Sequence, residues 1–144
     1  MNRPHYESQQ DRDNEQDLIR LVDPDGNAIK LPEFCIFDFV LPIRMGDKIE
    51  LQVWEVKKRT TKPGLDPYKT LMIAKRKVDA AHEFMMRGIE PWFLIEYDGT
   101  PYSMNVITTP RTGPTKGGRA DRGDPYDQEP CYHFEFACMA KLTR

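Results

Sequence analysis

A predicted β-hairpin in the first half of the chain restricts the fold more than any other feature of the sequence. The segments EFCIFDFVL and KIELQVWEVKK are rich in β-branched, aromatic and alternating apolar residues, and Gly46-Asp47 lies in the short connection between them. A glycine-containing break between two strand patterns is typical of a tight turn. The sequence therefore predicts two neighbouring antiparallel strands.

Charged groups converge on one face of this hairpin. If the turn is centred on that dipeptide, Asp38 lies directly opposite Glu55, with the two Cβ atoms roughly 5 Å apart. Lys57 projects from the same face as Glu55, because side chains alternate along a strand. Two carboxylates at this distance repel each other unless they share a cation. Pro42 leaves an alternative open, since a proline indicates an edge strand or a bulge, and a one-residue slip would separate the two acids.

A helix is predicted over residues 7–22, where Leu18, Ile19 and Val22 share one face and the preceding turns contain good helix formers. Glu15 lies at the edge of this apolar face, so it can point at the same place as the hairpin acids. The alternative is that Glu15 only complements the helix dipole.

The rest of the chain supplies a second helix, a second hairpin, a long loop and a last strand. The helix is predicted from apolar residues at helical spacing and a terminal glycine: Leu71, Ala74, Val78, Ala81, Met85 and Gly88. Asp98-Gly99 is a strong two-residue turn between PWFLIEY and PYSMNVIT. Residues 108–130 are rich in proline, glycine and charge, which predicts a long loop before a final strand over about 131–140.

This element order predicts an α/β (α+β) protein with a mixed sheet, core order αβββαβ, flanked by helices. A chain of 144 residues fits a single domain, 1–144, with its core over about 7–107. The hydrophobic fraction of 39% and charged fraction of 31% are those of a soluble globular protein, without an apolar run that could span a membrane. The polar, acidic start is unlike a secretory signal, which predicts a cytoplasmic location.

The three cysteines, Cys35, Cys131 and Cys138, have no disulfide-framework spacing and are expected to be reduced. Cys131 and His133 raise the alternative of a zinc site together with Cys138. Strand alternation places Cys138 on the opposite face, so thiols in the core are the preferred interpretation.

Basic residues are concentrated between positions 57 and 77, where eight lysines and arginines accompany the single acid Asp66. Such a local surplus can bind phosphates even on a chain of net charge −2, because binding responds to the nearby field. The alternative is a solvated charged surface. The residues expected to contact nucleic acid are Lys58, Arg59, Lys75, Lys77, Arg111, Lys116, Arg119 and Arg122.

The arrangement of Asp38 on one strand, Glu55-Val56-Lys57 on the next, an acid on the preceding helix and a basic helix afterwards resembles the PD-(D/E)XK nuclease superfamily. The resemblance is greatest to small phage-encoded nucleases and Holliday-junction-resolvase-like proteins. It implies a restriction-endonuclease-like fold and a metal-dependent DNA endonuclease. It also implies branched DNA as the favoured substrate and a homodimer as the active form, in the host cytoplasm if the protein is phage-encoded.

The resemblance implies a role for each site residue. Asp38, Glu55 and the main-chain carbonyl of Val56 would hold Mg²⁺, for which Mn²⁺ can substitute, and Glu15 would assist directly or through water. Lys57 would position or deprotonate the attacking water. No organic cofactor and no membrane contact are expected. Two alternatives stay open: a nickase or exonuclease acting on DNA ends, and a non-catalytic DNA-binding or host-interaction protein that retains the fold.

Overall fold

The computed structural model describes residues 9–60, 70–117 and 129–143. Its elements in chain order are α1 (Gln9–Ile19), β1 (Ile29–Lys30), β2 (Phe39–Met45), β3 (Lys48–Arg59), β4 (Thr70–Ala74), α2 (Lys75–Met86), β5 (Glu90–Tyr97), β6 (Thr100–Asn105), β7 (Thr112–Gly117), β8 (Glu129–Glu135), a 3₁₀ turn (Phe136–Cys138) and β9 (Ala140–Lys141).

The strands of the described chain form two sheets. The larger has six strands in the order β1-β2-β3-β5-β6-β9, and the smaller has three in the order β4-β8-β7. In the larger sheet β3 and β5 are parallel, whereas the other neighbouring strands are antiparallel. The predicted mixed sheet flanked by helices is therefore confirmed, and the second sheet is an addition that the sequence did not indicate.

The first hairpin has the predicted register. Met45 pairs with Lys48 across the turn, and the pairing continues without a slip to Phe39 and Trp54. Gly46 adopts φ 66°, a conformation that glycine enters without a steric penalty. Pro42 does not interrupt the ladder, but the register ends at Phe39 and Trp54, and the Asp38 N–H donates to the Trp54 carbonyl instead of pairing with Glu55 as the sequence predicts.

The first strand of the hairpin, β2, begins later than the sequence predicts. The segment EFCIFDFVL starts at residue 33, but β2 starts at Phe39. Pro32 opens a turn in which the Cys35 N–H donates to the Pro32 carbonyl at 2.9 Å. Asp38 consequently lies one residue outside the ladder, where the chain enters the sheet.

Each face of the larger sheet packs against a different layer. α1 covers one face with Leu18 and Ile19, in a cluster that includes Trp54 and Val56 of β3. α2 and the smaller sheet cover the other face, where Val53 is part of the core. Alternation along β3 then places Glu55 and Lys57 beneath α2. Trp54 is buried as predicted.

The second helix starts later than predicted, because its supposed first turn is a strand. Leu71 and Ile73 are buried and Met72 is 37% exposed, so burial alternates with the period of a strand. This segment, β4, pairs with β8, a distant partner that local periodicity cannot show. The glycine at the other end is as predicted: Gly88 has φ 78° directly after the helix.

The predicted loop over residues 108–130 contains a strand, β7, which corrects the loop prediction. Its sequence, TGPTKG, has low strand propensity, but β8 provides the pairing, with a bulge between Thr112 and Thr115. The last strand also differs: β8 ends at Glu135, and a 3₁₀ turn and the short β9 replace the rest of 131–140.

The three cysteines are free thiols, as predicted. Cys131 is buried, but Cys138 is exposed, so the interpretation as core thiols is right for the first and wrong for the second. Neither helix in the described ranges is long and apolar enough to cross a bilayer.

Candidate active site

Asp38 lies beside β3, directly before the start of β2. Its N–H donates to the Trp54 carbonyl at 2.9 Å, and its Oδ2 accepts the Val56 N–H at 2.8 Å. The N–H and C=O of one strand residue face the same neighbour. The Val56 carbonyl therefore faces the same side of β3 as the Asp38 carboxylate, which brings two kinds of oxygen ligand to one strand edge.

Glu55 is a buried carboxylate, since its side chain is only 6% exposed. Its Oε1 contacts the Lys77 ammonium, and the Lys57 Nζ lies 3.9 Å from the same oxygen. Its Oε2 is buried and has no hydrogen-bond donor within the part of the chain that the structure describes. A buried carboxylate oxygen without a donor is costly unless a ligand satisfies it.

The pKa of Asp38 is raised by burial and by the neighbouring Glu55 carboxylate. Burial is the main cause that raises the pKa of Asp38 to about 6, and the negative charge of Glu55 raises it further. The Val56 N–H and the Lys30 and Lys77 ammonium groups oppose this shift without cancelling it. The Asp38 carboxylate, the Glu55 carboxylate with its Oε2, and the Val56 carbonyl form a donor set that suits a hard divalent cation.

Lys57 lies beside this donor set with 31% of its side chain exposed. The positive charge of Lys77 is the first cause, and burial the second, of a Lys57 pKa lowered to about 7. A lysine with this pKa is partly neutral near neutral pH, so it can accept a proton.

Lys77, which we expected to contact DNA, lies in the site beside the acid pair. Its ammonium instead contacts Glu55, and its side chain is 14% exposed. The signal was present in the sequence, since Lys77 lies one helical turn before Ala81, which is fully buried on the core face of α2.

Glu15 is connected to the site through Lys30. The Lys30 Nζ is 2.8 Å from Glu15 Oε2 and 3.6 Å from Asp38 Oδ1, so this ammonium links the two acids. Among the residues that the structure describes, no three His, Cys, Asp or Glu side chains lie close enough to hold one metal ion. The sequence did not indicate Lys30, which comes from a two-residue strand whose pairing beside Phe39 only the fold reveals.

The basic residues expected to contact DNA at the end of β3 and the start of α2 reach the surface. Lys58 is 46% exposed and its Nζ lies 3.5 Å from the buried Glu96 carboxylate, and Arg59 is exposed at the strand end. Lys75, at the start of α2, forms an ion pair of 2.7 Å with Asp79 one turn later. Alternation along β3 places Arg59 on the face of Glu55 and Lys57, and Lys58 on the opposite face.

The remaining expected DNA contacts come from the C-terminal third of the chain. Arg111 stacks over the ring of Tyr132, 5.0 Å from its centroid. Lys116 belongs to β7, and Arg119 and Arg122 lie outside the described residues. Of these four, the structure therefore gives a side-chain environment only for Arg111.

The sequence matches a protein-family model described as phage putative PDDEXK endonuclease over residues 1–142. The chain belongs to this family. Because the match covers nearly the whole chain, the resemblance drawn from Asp38 and Glu55-Val56-Lys57 is confirmed at the level of the family. Family membership makes the protein a nuclease of the endonuclease class.

Comparison with solved structures supports the same fold for this endonuclease. Hjc of Archaeoglobus fulgidus, a Holliday junction resolvase from an archaeal hyperthermophile, superposes with a TM-score of 0.56 at 16% sequence identity, over 90% of this chain and 94% of Hjc. The restriction-endonuclease-like fold is thus confirmed. No curated protein matches the sequence.

Proposed function

We propose that the protein is a metal-dependent DNA endonuclease that hydrolyses phosphodiester bonds in branched DNA, with the Holliday junction as the favoured substrate. The observation that carries the proposal is the buried pair of acids, Asp38 and Glu55, beside the Val56 carbonyl and Lys57. The fold shared with a Holliday junction resolvase supports the choice of substrate.

In this proposal Asp38, Glu55 and the Val56 carbonyl hold Mg²⁺, or Mn²⁺ in its place. The unsatisfied Glu55 Oε2 and the raised pKa of Asp38 both fit a cation at this position. When bound, such an ion lowers the pKa of water and neutralises charge on the phosphate. The protein side chains hold and orient the groups around it.

Lys57 is proposed as the residue that orients the attacking water and takes up its proton. Its Nζ lies 3.9 Å from Glu55 Oε1, on the same strand face as the acid. The lowered pKa of about 7 allows the amine to be neutral before the reaction and protonated after it.

The substrate is proposed to lie over the rim of the site. In this proposal Lys58, Arg59 and Lys75 contact the backbone of the substrate, and Arg111 adds a further cation near α2 through its 3.2 Å contact with His82. We include Lys116, Arg119 and Arg122 as contacts from the charged segment over residues 108–130. Each such contact with phosphate positions the duplex without reading its sequence.

A homodimer completes the proposal, since resolving a four-way junction requires two strand cuts and each chain provides one site. We also propose that the chain forms a single domain over residues 1–144 and acts in the cytoplasm. Paired cuts in opposite strands of a junction are the expected product of such a dimer.

The decisive experiment compares labelled four-way junction, duplex and single-stranded DNA, each with Mg²⁺ and with EDTA. We expect cleavage of the junction only with metal, and a roughly 10²-fold loss in Lys57→Ala, the effect typical of removing a general base. Lys48→Ala, which removes an exposed lysine from the same strand, is the matched control. Binding without any cleavage by the wild type would favour the non-catalytic alternative, and faster degradation of linear ends would favour an exonuclease.

We propose a supporting role for Glu15, acting through Lys30 or a water molecule. Glu15→Gln is therefore expected to lower junction cleavage less than about tenfold, within the lower range for residues that orient metal ligands. Asp17→Asn is the control, because Asp17 lies on the same helix and is 69% exposed. A loss as large as that caused by substituting Glu55 would show that Glu15 binds the metal directly.

A further inference from the structure

Lys77 places a positive charge next to both acids of the proposed metal site. Its ammonium contacts Glu55 Oε1, and it lies close enough to Asp38 to oppose the rise in the pKa of that carboxyl. The side chain is 14% exposed, so the contact is largely shielded from water. In the metal-free protein this lysine supplies the charge that a divalent cation would supply at the same two carboxylates.

We propose that Lys77 and the divalent metal compete for Glu55, so that metal binding requires the Lys77 ammonium to leave the carboxylate. This inference rests on the proposed metal-dependent function and adds a residue from α2 that controls metal occupancy. In this role Lys77 neutralises the buried acid until the metal replaces it.

The competition follows from charge and geometry. A divalent cation bound by Glu55 would lie within a few ångströms of the ammonium, where two positive charges repel strongly in a poorly hydrated site. Glu55 Oε2 has no hydrogen-bond donor among the described residues, so it offers an initial contact for the metal while Oε1 is still occupied. The lysine has four flexible carbon–carbon bonds, so its ammonium can withdraw while the helix stays in place.

Lys57 does not share this role. Its Nζ lies 3.9 Å from Glu55 Oε1, beyond hydrogen-bond distance, whereas Lys77 makes the direct contact. The contact that a metal ion at Glu55 would have to replace is therefore the one with Lys77.

A purely structural role for the Lys77–Glu55 ion pair predicts the opposite change in metal affinity from competition. If Lys77 only holds Glu55 in position, its removal disorders the carboxylate and weakens metal binding. If Lys77 competes with the metal, its removal strengthens metal binding. The sign of the change in metal affinity therefore separates the two interpretations.

The test is titration of the DNA-free full-length chain with Mn²⁺ by calorimetry. We expect Lys77→Gln to bind Mn²⁺ about tenfold more tightly than the wild type, as expected from losing one partly buried competing charge. Arg76→Gln is the matched control, because it removes one positive charge from the neighbouring position on α2, from a side chain paired with Glu129 instead of Glu55. The control should stay within about twofold of the wild type. Unchanged or weaker binding by Lys77→Gln would overturn the inference.

A second measurement does not depend on the folding of that variant. In the wild type, the ε-methylene NMR signals of Lys77, assigned by comparison with Lys77→Arg, should change from those of a fixed side chain to those of a mobile one when Mg²⁺ is added. Signals that stay fixed at saturating Mg²⁺ would contradict displacement.

Glu55→Gln distinguishes failure of this inference from failure of the proposed function. If the wild type binds Mn²⁺ no better than Glu55→Gln, the metal site itself is misplaced and both proposals fall. If Glu55→Gln binds more weakly but Lys77→Gln binds no more tightly than the wild type, only the competition is wrong.

Discussion

Glu55→Gln is expected to lower metal-dependent cleavage of a four-way junction by roughly two to three orders of magnitude, the range for removing one preorganised charge-stabilising group. The substitution keeps the shape of the side chain but removes the charge that attracts the cation. It also removes the partner of the Lys77 ammonium. The measurement is the single-turnover rate at saturating Mg²⁺, so that weaker DNA binding does not enter the result.

Glu50→Gln is the matched control for this substitution. Glu50 lies on the same strand, but it is exposed near the hairpin turn, away from the acid pair, so cleavage should stay within about twofold of the wild type. Residual cleavage above about a tenth of the wild-type rate in Glu55→Gln would mean that the nuclease uses another acid. In that case the family membership would stand, and the site assignment would be wrong.

Asp38→Asn is expected to abolish cleavage to a similar extent while stabilising the metal-free protein at pH 8 by about 1–3 kcal/mol. The carboxyl is 20% exposed, and its pKa is raised from 3.8 to about 6, first by burial and then by Glu55. The neutral amide removes this repulsion, and its oxygen can still accept the Val56 N–H.

The gain has a defined pH dependence. Folded Asp38 holds its proton more tightly than the unfolded chain does, so its contribution to stability is complete below about pH 4. That contribution is lost as the pH rises through about 6. Asp38→Asn should therefore differ little from the wild type at pH 4 and become more stable as the pH rises to 8.

Urea denaturation in EDTA at both pH values measures this difference. Asp47→Asn, an exposed aspartate in the hairpin turn, is the control and should change the free energy of unfolding by less than about 0.5 kcal/mol at either pH. If the wild type is more stable than Asp38→Asn at pH 8 in EDTA, the ionised Asp38 carboxylate does not destabilise the metal-free protein.

These predictions share one cause: Asp38 and Glu55 are needed for cleavage, but their repulsion lowers the free energy of unfolding. The wild-type pair destabilises the metal-free fold, whereas a bound cation would turn the same repulsion into attraction. Metal should consequently raise the melting temperature of the wild type and leave Asp38→Asn almost unchanged.

Local patterns were sufficient for the first hairpin and for the end of α2. The glycine of the β2–β3 turn and the alternation on both sides specify a register, so the pairing from Met45 and Lys48 to Phe39 and Trp54 could be predicted without coordinates. Gly88 likewise marks the end of α2, because glycine adopts the left-handed conformation after a helix more readily than other residues do. Such signals depend only on neighbours along the chain.

The smaller sheet could not be predicted in this way. Leu71 and Ala74 fit the helical spacing that continues to Val78, and the segment TGPTKG has low strand propensity of its own. Both segments are strands because β8 pairs with each of them. Hydrogen bonds between distant segments decided their conformation.

The sequence by itself determined the family, the mixed sheet and the strand that carries Glu55 and Lys57, since turn residues and period-two alternation act locally. Only the tertiary structure decided which cations reach the acids. Lys77 approaches Glu55 from α2, and Lys30 stands between Glu15 and Asp38 from β1. These contacts join segments far apart in the chain, and their positions follow from how the helices pack on the two faces of the sheet.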